Sequence, residues 1–454
     1  MDNRISKVLY VTLLSFFLYF SVSIIFEVFN YSWEPFDRIN LVSDVFHSDK
    51  KGKDSAPKTN VKDSVIASKA KDSAATATDF ELYKKPQLIT NFKTDNQSAL
   101  SSFAEKLQRL KNGEKIKIRI GYFGDSMIEG DLLTQTLRAL LQQEYGGSGV
   151  GYLPITSLTS GFRQTATASG SNWEDTNFMT KGAKNMYLSG HYFTGQGSAS
   201  FTDNTITTPE VLIEKSLIFG KTNPKSIRYN GTSVALQSSE LVNRQVLSKD
   251  ASKMIKLQSE NANDVLYGVS FESESGIFVD NFSFRGITGV ELNKLSEDFM
   301  KSVQQANHYD LIVLQYGVNL LFRPNDTNYD YYTKMMSPVF KKMKTAFSDS
   351  DFLIISSADR AFKYDGVFKT AIGLPNLLET QALLAFDNGF AFYNQFETMG
   401  GANSIVKWAE QSPPLANKDY VHPNHKGAEV LAKKLFEAIQ NDYHKYSPKK
   451  TNGQ

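Results

Sequence analysis

Three short runs of this 454-residue chain carry side chains suited to acyl transfer. The first is Gly124-Asp125-Ser126, inside the stretch GYFGDSMIEG. A serine just after a strand and ahead of a helix offers its hydroxyl and its backbone N–H to one substrate oxygen cluster. The same position also suits a helix N-cap. The second run is Asp419-Tyr420-Val421-His422. A nucleophilic serine needs a base of near-neutral pKa, and histidine is the usual choice. A carboxylate three residues upstream can hold the tautomer of that ring, although the pair would also fit an ordinary polar loop. The third run is Gly317-Val318-Asn319. A side-chain amide beside a close-approach glycine can donate to a developing oxyanion; an asparagine here also reads as a turn residue.

Other chemistries find little support. The chain has no cysteine, which removes disulfides, thiolate metal sites, iron–sulfur clusters and cysteine nucleophiles. The six histidines are His47, His191, His308, His422, His425 and His444. His422 and His425 lack a third ligand in register, so neither a metal nor a cofactor is expected. The charges nearly cancel, 50 Lys plus Arg against 48 Asp plus Glu, which argues against a nucleic-acid partner.

The elements that would position these runs form an α/β pattern. Residues 115–123 (KIKIRIGYF) predict a strand that ends on Gly124-Asp125-Ser126, and residues 132–145 a following helix stopped by Gly146-Gly147. Residues 311–316 (LIVLQY) and 351–357 (DFLIISS) predict short buried strands, with helices over 97–110, 291–306 and 426–443. Apolar strands alternating with helices imply a parallel sheet covered on both faces, whose strand C-termini open onto one crevice. That would bring Asn319 to the rim shared by Ser126 and His422. Residues 161–280 break the rhythm with Ser, Thr, Asn and Gly and short β-type runs, and predict an inserted antiparallel β-sandwich.

The N-terminus sets the expected compartment. Residues 8–26 are 19 uncharged residues in a row, preceded by Arg4 and Lys7 and followed by Glu27, Glu34 and Asp37. At about 1.5 Å rise per residue, the run matches a bilayer core of about 30 Å. No small-residue cleavage site follows it. The positive-inside rule leaves the N-terminus cytoplasmic and the body outside the cytoplasm, periplasmic in a Gram-negative cell. The expected plan is a cytoplasmic tip and transmembrane anchor over 1–30, a flexible tether over 31–95, a catalytic body over 96–160 and 281–445 split by the insert, and a disordered tail over 446–454.

In chain order, Gly124-Asp125-Ser126, Gly286, Gly317-x-Asn319 and Asp419-x-x-His422 resemble the four blocks of the SGNH (GDSL-type) hydrolase family. The resemblance covers residues 115–160 and 282–441, with Met127 where the family name has Leu, and Leu320 where many members carry Asp. It implies a three-layer α/β/α, flavodoxin-like sandwich. It implies Ser126 as nucleophile, His422 as general base and Asp419 as its orienting acid. The oxyanion hole would be the backbone N–H groups of Ser126 and Gly286 with the Asn319 side chain. The run GDSMIEGD, the run GGSGVGYLP and residues 399–408 are also similar to exported bacterial SGNH proteins acting on O-acetylated cell-wall or surface glycans, whose insert resembles a carbohydrate-binding module. The expected activity is therefore a carbohydrate O-acetylesterase. Two other readings stand beside it: an O-acetyltransferase of the same fold fed by a membrane-bound O-acyltransferase, and a non-catalytic glycan-binding protein.

Overall fold

The computed structural model describes residues 13–15, 18, 19, 21, 80–94, 96–207, 210–221 and 225–447. The chain divides into two compact units, Met1–Ile66 and Ala67–Gln454. In the first, the few described residues are helical. The expected spanning helix over 8–26 lies mostly outside the described residues, and among those described no helix is long and apolar enough to cross a membrane.

The second unit is built on a six-stranded sheet. Its strands are β1 (Ile89–Thr90), β2 (Lys117–Gly124), β3 (Gly276–Ser283), β4 (Leu311–Gln315), β5 (Asp351–Ile355) and β6 (Ala391–Tyr393), and their order across the sheet is β1-β6-β5-β4-β2-β3. All pairings are parallel except the edge pair of β1 with β6. Without that edge strand, the order 2-1-3-4-5 is the doubly wound one, which reverses direction beside β2 and opens a crevice at the strand C-termini. Strands such as Leu311–Gln315 are buried throughout, because helices cover both faces.

On one face lie α3 (Glu297–Asn307), α4 (Asp330–Ala346) and α5 (Leu374–Asn388), which bury Phe299, Met336 and Leu377 against Phe123, Ile312 and Ile354. On the other face lie α1 (Ser101–Lys111), α2 (Thr134–Tyr145), α7 (Ser404–Glu410) and α8 (His425–His444). They bury Leu107, Leu137, Trp408 and Leu431 against Ile120, Val313 and Leu353. A short helix, α6 (Gln395–Met399), follows β6.

Between α2 and β3 the chain forms two antiparallel sheets. One runs in the order Thr232–Leu236, Lys225–Tyr229, Met254–Ser259, Ser198–Asp203, Ala166–Ser171. The other runs Val242–Asp250, Ile213–Gly220, Leu266–Ser273, His191–Thr194, Glu174–Asn177, with Gly151–Pro154 also paired to Leu266–Ser273. Phe201, Ile227 and Ile255 of the first meet Phe193, Leu217 and Phe271 of the second in a shared apolar layer.

Strand pairings run across three of the expected borders. Gly276–Ser283 is a core strand parallel to Lys117–Gly124, although the border at 280/281 would place most of it in the insert. Its apolar run follows the strand Leu266–Ser273 after a tight turn, so the two read as one composition. Gly151–Pro154, expected in the catalytic body, pairs with Leu266–Ser273, a strand expected in the insert. The tether expected over 31–95 also ends earlier. Phe80, Tyr83 and Phe92 are buried among Phe386 and Phe392, and Ile89–Thr90 pairs with β6. Residues 31–79 lie outside the described residues.

A buried ion network ties the two-sheet region to the core. Glu272 receives Arg119 Nε at 2.9 Å and Nη2 at 2.7 Å, with Arg244 Nη2 at 2.9 Å and Lys117 Nζ at 3.1 Å. Burial alone would raise the Glu272 pKa, but these cations, Arg119 first, hold it well below the usual carboxylate range.

Candidate active site

Ser126 sits in the turn that leaves the C-terminal end of β2, well ahead of Thr134 where α2 starts, so it is not the N-cap of that helix. The turn is held tightly. Gly124 has no room for a side chain: a Cβ there would come within 2.8 Å of Ile128 and 3.0 Å of the Gln315 carbonyl. Asn281 of β3 donates to the Ile128 carbonyl and to Thr134 Oγ1, both at 2.8 Å. Just beyond, buried Asp131 accepts from Arg138 Nη1 and Nη2, each at 2.8 Å. Burial would raise the Asp131 pKa; Arg138 and Arg163 overcome it and hold the group ionised far into acid.

His422 lies in the loop that precedes α8. That helix is capped by the Asn424 side chain, which accepts from Gly427 N at 3.1 Å. The loop is pinned from both ends, by Asn417 N to the His422 carbonyl at 2.9 Å and Asn424 N to the Leu415 carbonyl at 3.0 Å. Tyr420 adopts the left-handed region, φ 55°, and its carbonyl accepts from Ala361 N at 3.0 Å. These restraints bring the three expected residues into one line. Ser126 Oγ is 2.8 Å from His422 Nε2, and His422 Nδ1 is 2.7 Å from Asp419 Oδ2. Asp419 Oδ1 accepts from the backbone amides of Val421 at 2.9 Å and His422 at 3.0 Å. Partial burial would raise the Asp419 pKa, but the His422 backbone amide and ring outweigh it and lower it below the ordinary aspartate value. Asp419 is thus the acceptor for the Nδ1–H tautomer, which leaves Nε2 free to take a proton from Ser126.

The remaining expected groups lie on the neighbouring strand ends. Phe284 N donates to the Gly124 carbonyl at 3.0 Å, which carries the chain after β3 alongside the Ser126 turn. Gly286 follows in that loop, exposed and with φ +80°. Gly317 follows β4 with φ +145°, and a Cβ there would meet Ser357 Cβ at 2.5 Å; no other residue fits. Two residues on, Asn319 Nδ2 donates to the Ile287 carbonyl at 2.8 Å and to Asp125 Oδ2 at 3.1 Å. Both amide hydrogens are therefore engaged, and an incoming oxyanion would have to share the longer of these two bonds.

Two neighbours of the site were not singled out by the sequence reading. Asp125 is buried and accepts from Met127 N at 2.9 Å as well as from Asn319; burial pushes its pKa up to about 7. Its position inside Gly124-Asp125-Ser126 was the available signal. Arg360 donates from Nη1 to the Val318 carbonyl at 2.7 Å and stacks over Phe362 at 4.9 Å. It follows the C-terminal end of β5, where the crevice rule points. His425 is exposed at the start of α8 and takes no part in the line.

No family model and no curated protein matches the chain. Solved structures do. A peptidoglycan O-acetylesterase aligns with a TM-score of 0.65 at 21% identity, covering 77% of this chain and 99% of that one. An acetyl xylan esterase from Geobacillus stearothermophilus aligns at 0.28 and 18% identity over 37% of this chain and 74% of that one. A Bacillus subtilis protein aligns at 0.30 and 13% over 60% and 90%. The first likeness establishes a shared fold.

Proposed function

We propose that this chain is a serine esterase that removes O-acetyl groups from a cell-wall or surface glycan. One observation carries the reading: the unbroken line from Ser126 Oγ to His422 Nε2 and from His422 Nδ1 to Asp419 Oδ2, at 2.8 and 2.7 Å. His422 takes the Ser126 proton as Oγ attacks the acetyl carbonyl. The oxyanion meets the N–H groups of Ser126 and Gly286, and the Asn319 amide shares a hydrogen with it. One such donor typically lowers the barrier by about 3–4 kcal/mol. Collapse breaks the bond to the sugar oxygen, which leaves with the proton from His422. Water then repeats the sequence: its proton passes to His422, its oxygen attacks the acetyl-serine, and acetate departs as Ser126 regains a proton.

Hydrolysis fits the site better than transfer because the base is open to solvent. The His422 side chain keeps 35% of its exposure and Asp419 46%, so water reaches the base directly. A glycan as substrate is supported by the fold shared with a peptidoglycan O-acetylesterase. The apolar run over 8–26 would anchor the enzyme with its body outside the cytoplasm.

The test is acetate release from O-acetylated peptidoglycan, from acetylated xylan and from a chromogenic acetyl ester, by the wild-type chain and by Ser126→Ala. The reading predicts release by the wild type and loss in the variant. Equal rates in both would remove Ser126 from the reaction, and no release from any substrate would remove the esterase reading.

A further inference from the structure

Asn319 is carried by a turn, not by a helix or a strand. The turn has one short backbone bond of its own, Leu320 N to the Gly317 carbonyl at 2.9 Å. An amide that must share a hydrogen with an oxyanion tolerates little drift in the backbone beneath it, since a displacement of about 1 Å can cost about 10² in rate. The grip on that backbone comes from outside the turn. Arg360 Nη1 donates to the Val318 carbonyl at 2.7 Å, one residue before Asn319.

Arg360 is itself held from several sides. Its guanidinium stacks over Phe362 at 4.9 Å, and its carbonyl accepts from Ala371 N at 2.8 Å. The residue before it, buried Asp359, accepts from Thr370 Oγ1 at 2.8 Å and from Ile405 N at 3.0 Å. Arg360 opens a hairpin of two strands, Ala361–Tyr364 and Val367–Thr370. That hairpin touches the loop after Asn319 a second time, where the Tyr364 hydroxyl donates to the Pro324 carbonyl. It also touches the loop of Asp419 and His422. Ala361 N donates to the Tyr420 carbonyl at 3.0 Å, and the Phe368 ring lies 4.1 Å from the Tyr420 ring. One segment thus braces both the oxyanion turn and the acid–base loop, which lie about a hundred residues apart in the chain.

Arginine is a costly residue for this place if stability were its whole role. Burial lowers its pKa, and Arg360 Nε is buried without a hydrogen-bond partner. The carboxylate whose charge acts on it, Asp419, is paired with His422 instead. A buried donor left unsatisfied costs free energy, and side chains that carry such a cost cluster at functional sites. What the long planar side chain gains here is reach: it stacks on the hairpin and still delivers a charge-assisted bond to the oxyanion turn.

We propose that Arg360 is a positioning residue for the oxyanion hole: through the Val318 carbonyl it fixes the turn from which Asn319 presents its amide. The inference rests on the esterase reading for the reaction that the turn serves. The test is a double-mutant cycle in the full-length chain. kcat and KM for a chromogenic acetyl ester are measured for the wild type, Arg360→Met, Arg360→Lys, Asn319→Ala and Arg360→Met with Asn319→Ala, beside thermal unfolding and amide hydrogen exchange over residues 317–321. Arg360→Met keeps an unbranched stem and removes the donor. It should lower kcat by about tenfold to 10²-fold with KM within about twofold. Arg360→Lys, which keeps a charged donor, should recover part of that loss. In the Asn319→Ala background Arg360→Met should change kcat by less than about threefold, because the two residues act through one group. Exchange over 317–321 should be faster in Arg360→Met than in the wild type. Should Arg360→Met not fold, Arg360→Gln, which stays polar but is too short to span to Val318, takes its place in the cycle.

An unchanged kcat, losses that multiply in full with Asn319→Ala, or Arg360→Lys no better than Arg360→Met would overturn the proposal. So would unchanged exchange over 317–321, which needs no turnover to be read. The esterase reading itself falls only if the wild-type chain releases no acetate, a result distinct from each of these.

Discussion

Asp419→Asn is the sharpest probe of the histidine's role, because it changes one atom with opposite consequences at the two carboxylate oxygens. Asp419 Oδ1 accepts the amides of Val421 and His422, and an asparagine oxygen can accept both. Those bonds, worth about 1 kcal/mol each, keep the loop in place. Asp419 Oδ2 accepts from His422 Nδ1 at 2.7 Å, and an asparagine puts an N–H there instead. Two donors cannot face each other, so the ring is driven to the tautomer with its proton on Nε2. That nitrogen then lies 2.8 Å from Ser126 Oγ as a donor and cannot take the serine's proton. The comparable change in a serine protease triad lowers kcat by about 10⁴. With the acid half exposed here, a fall of about 10³–10⁴ is expected, with the melting temperature nearly unchanged. The assay is steady-state hydrolysis of a chromogenic acetyl ester beside thermal unfolding. Asp419→Asn within tenfold of the wild-type kcat would refute the tautomer argument. Asp419→Ala, which also loses the two amide bonds, should in addition lower the melting temperature.

Other outcomes follow from the same geometry. Asn319→Ala should lower kcat by about 10²–10³, the usual loss of one oxyanion donor, in the same ester assay. Glu272→Gln removes the carboxylate shared by buried Arg119 and by Arg244 and should cost about 3–5 kcal/mol in denaturant unfolding. Buried Asp125 titrates at about 7 in the fold against about 3.9 unfolded, so it binds a proton in the native state that the unfolded state has lost. Its contribution to stability is therefore present below about pH 4 and is lost as pH rises through about 7. Relative to Asp125→Asn, the wild-type chain should gain stability as pH falls from about 8 to about 5 in urea unfolding.

The line of Ser126, His422 and Asp419 was legible from two local patterns, a serine that follows a strand and a carboxylate and histidine held in one loop. Once LIVLQY and KIRIGYF read as parallel buried strands, the rule that ligands gather at their C-termini placed Asn319 beside Ser126. Asp419 and His422 read together because one loop holds both. What stayed hidden was set by contacts distant in sequence. Gly276–Ser283 looks like more of the insert until it pairs with Lys117–Gly124. Ile89–Thr90 is too short to declare a strand, and its place follows from Phe80 and Phe92 packing on Phe386. The engagement of Asn319 with Asp125 depends on the fold of two loops, and no spacing encodes it.

The central claim is that an acetyl group passes through Ser126 Oγ. Rapid acid quench of the wild-type chain during turnover of an acetyl ester, followed by peptide mass mapping, tests it most directly. The account predicts an acetyl ester on the peptide containing Ser126, absent from Ser126→Ala. An acetyl group trapped on another residue, or continued turnover by Ser126→Ala with no label, would contradict it.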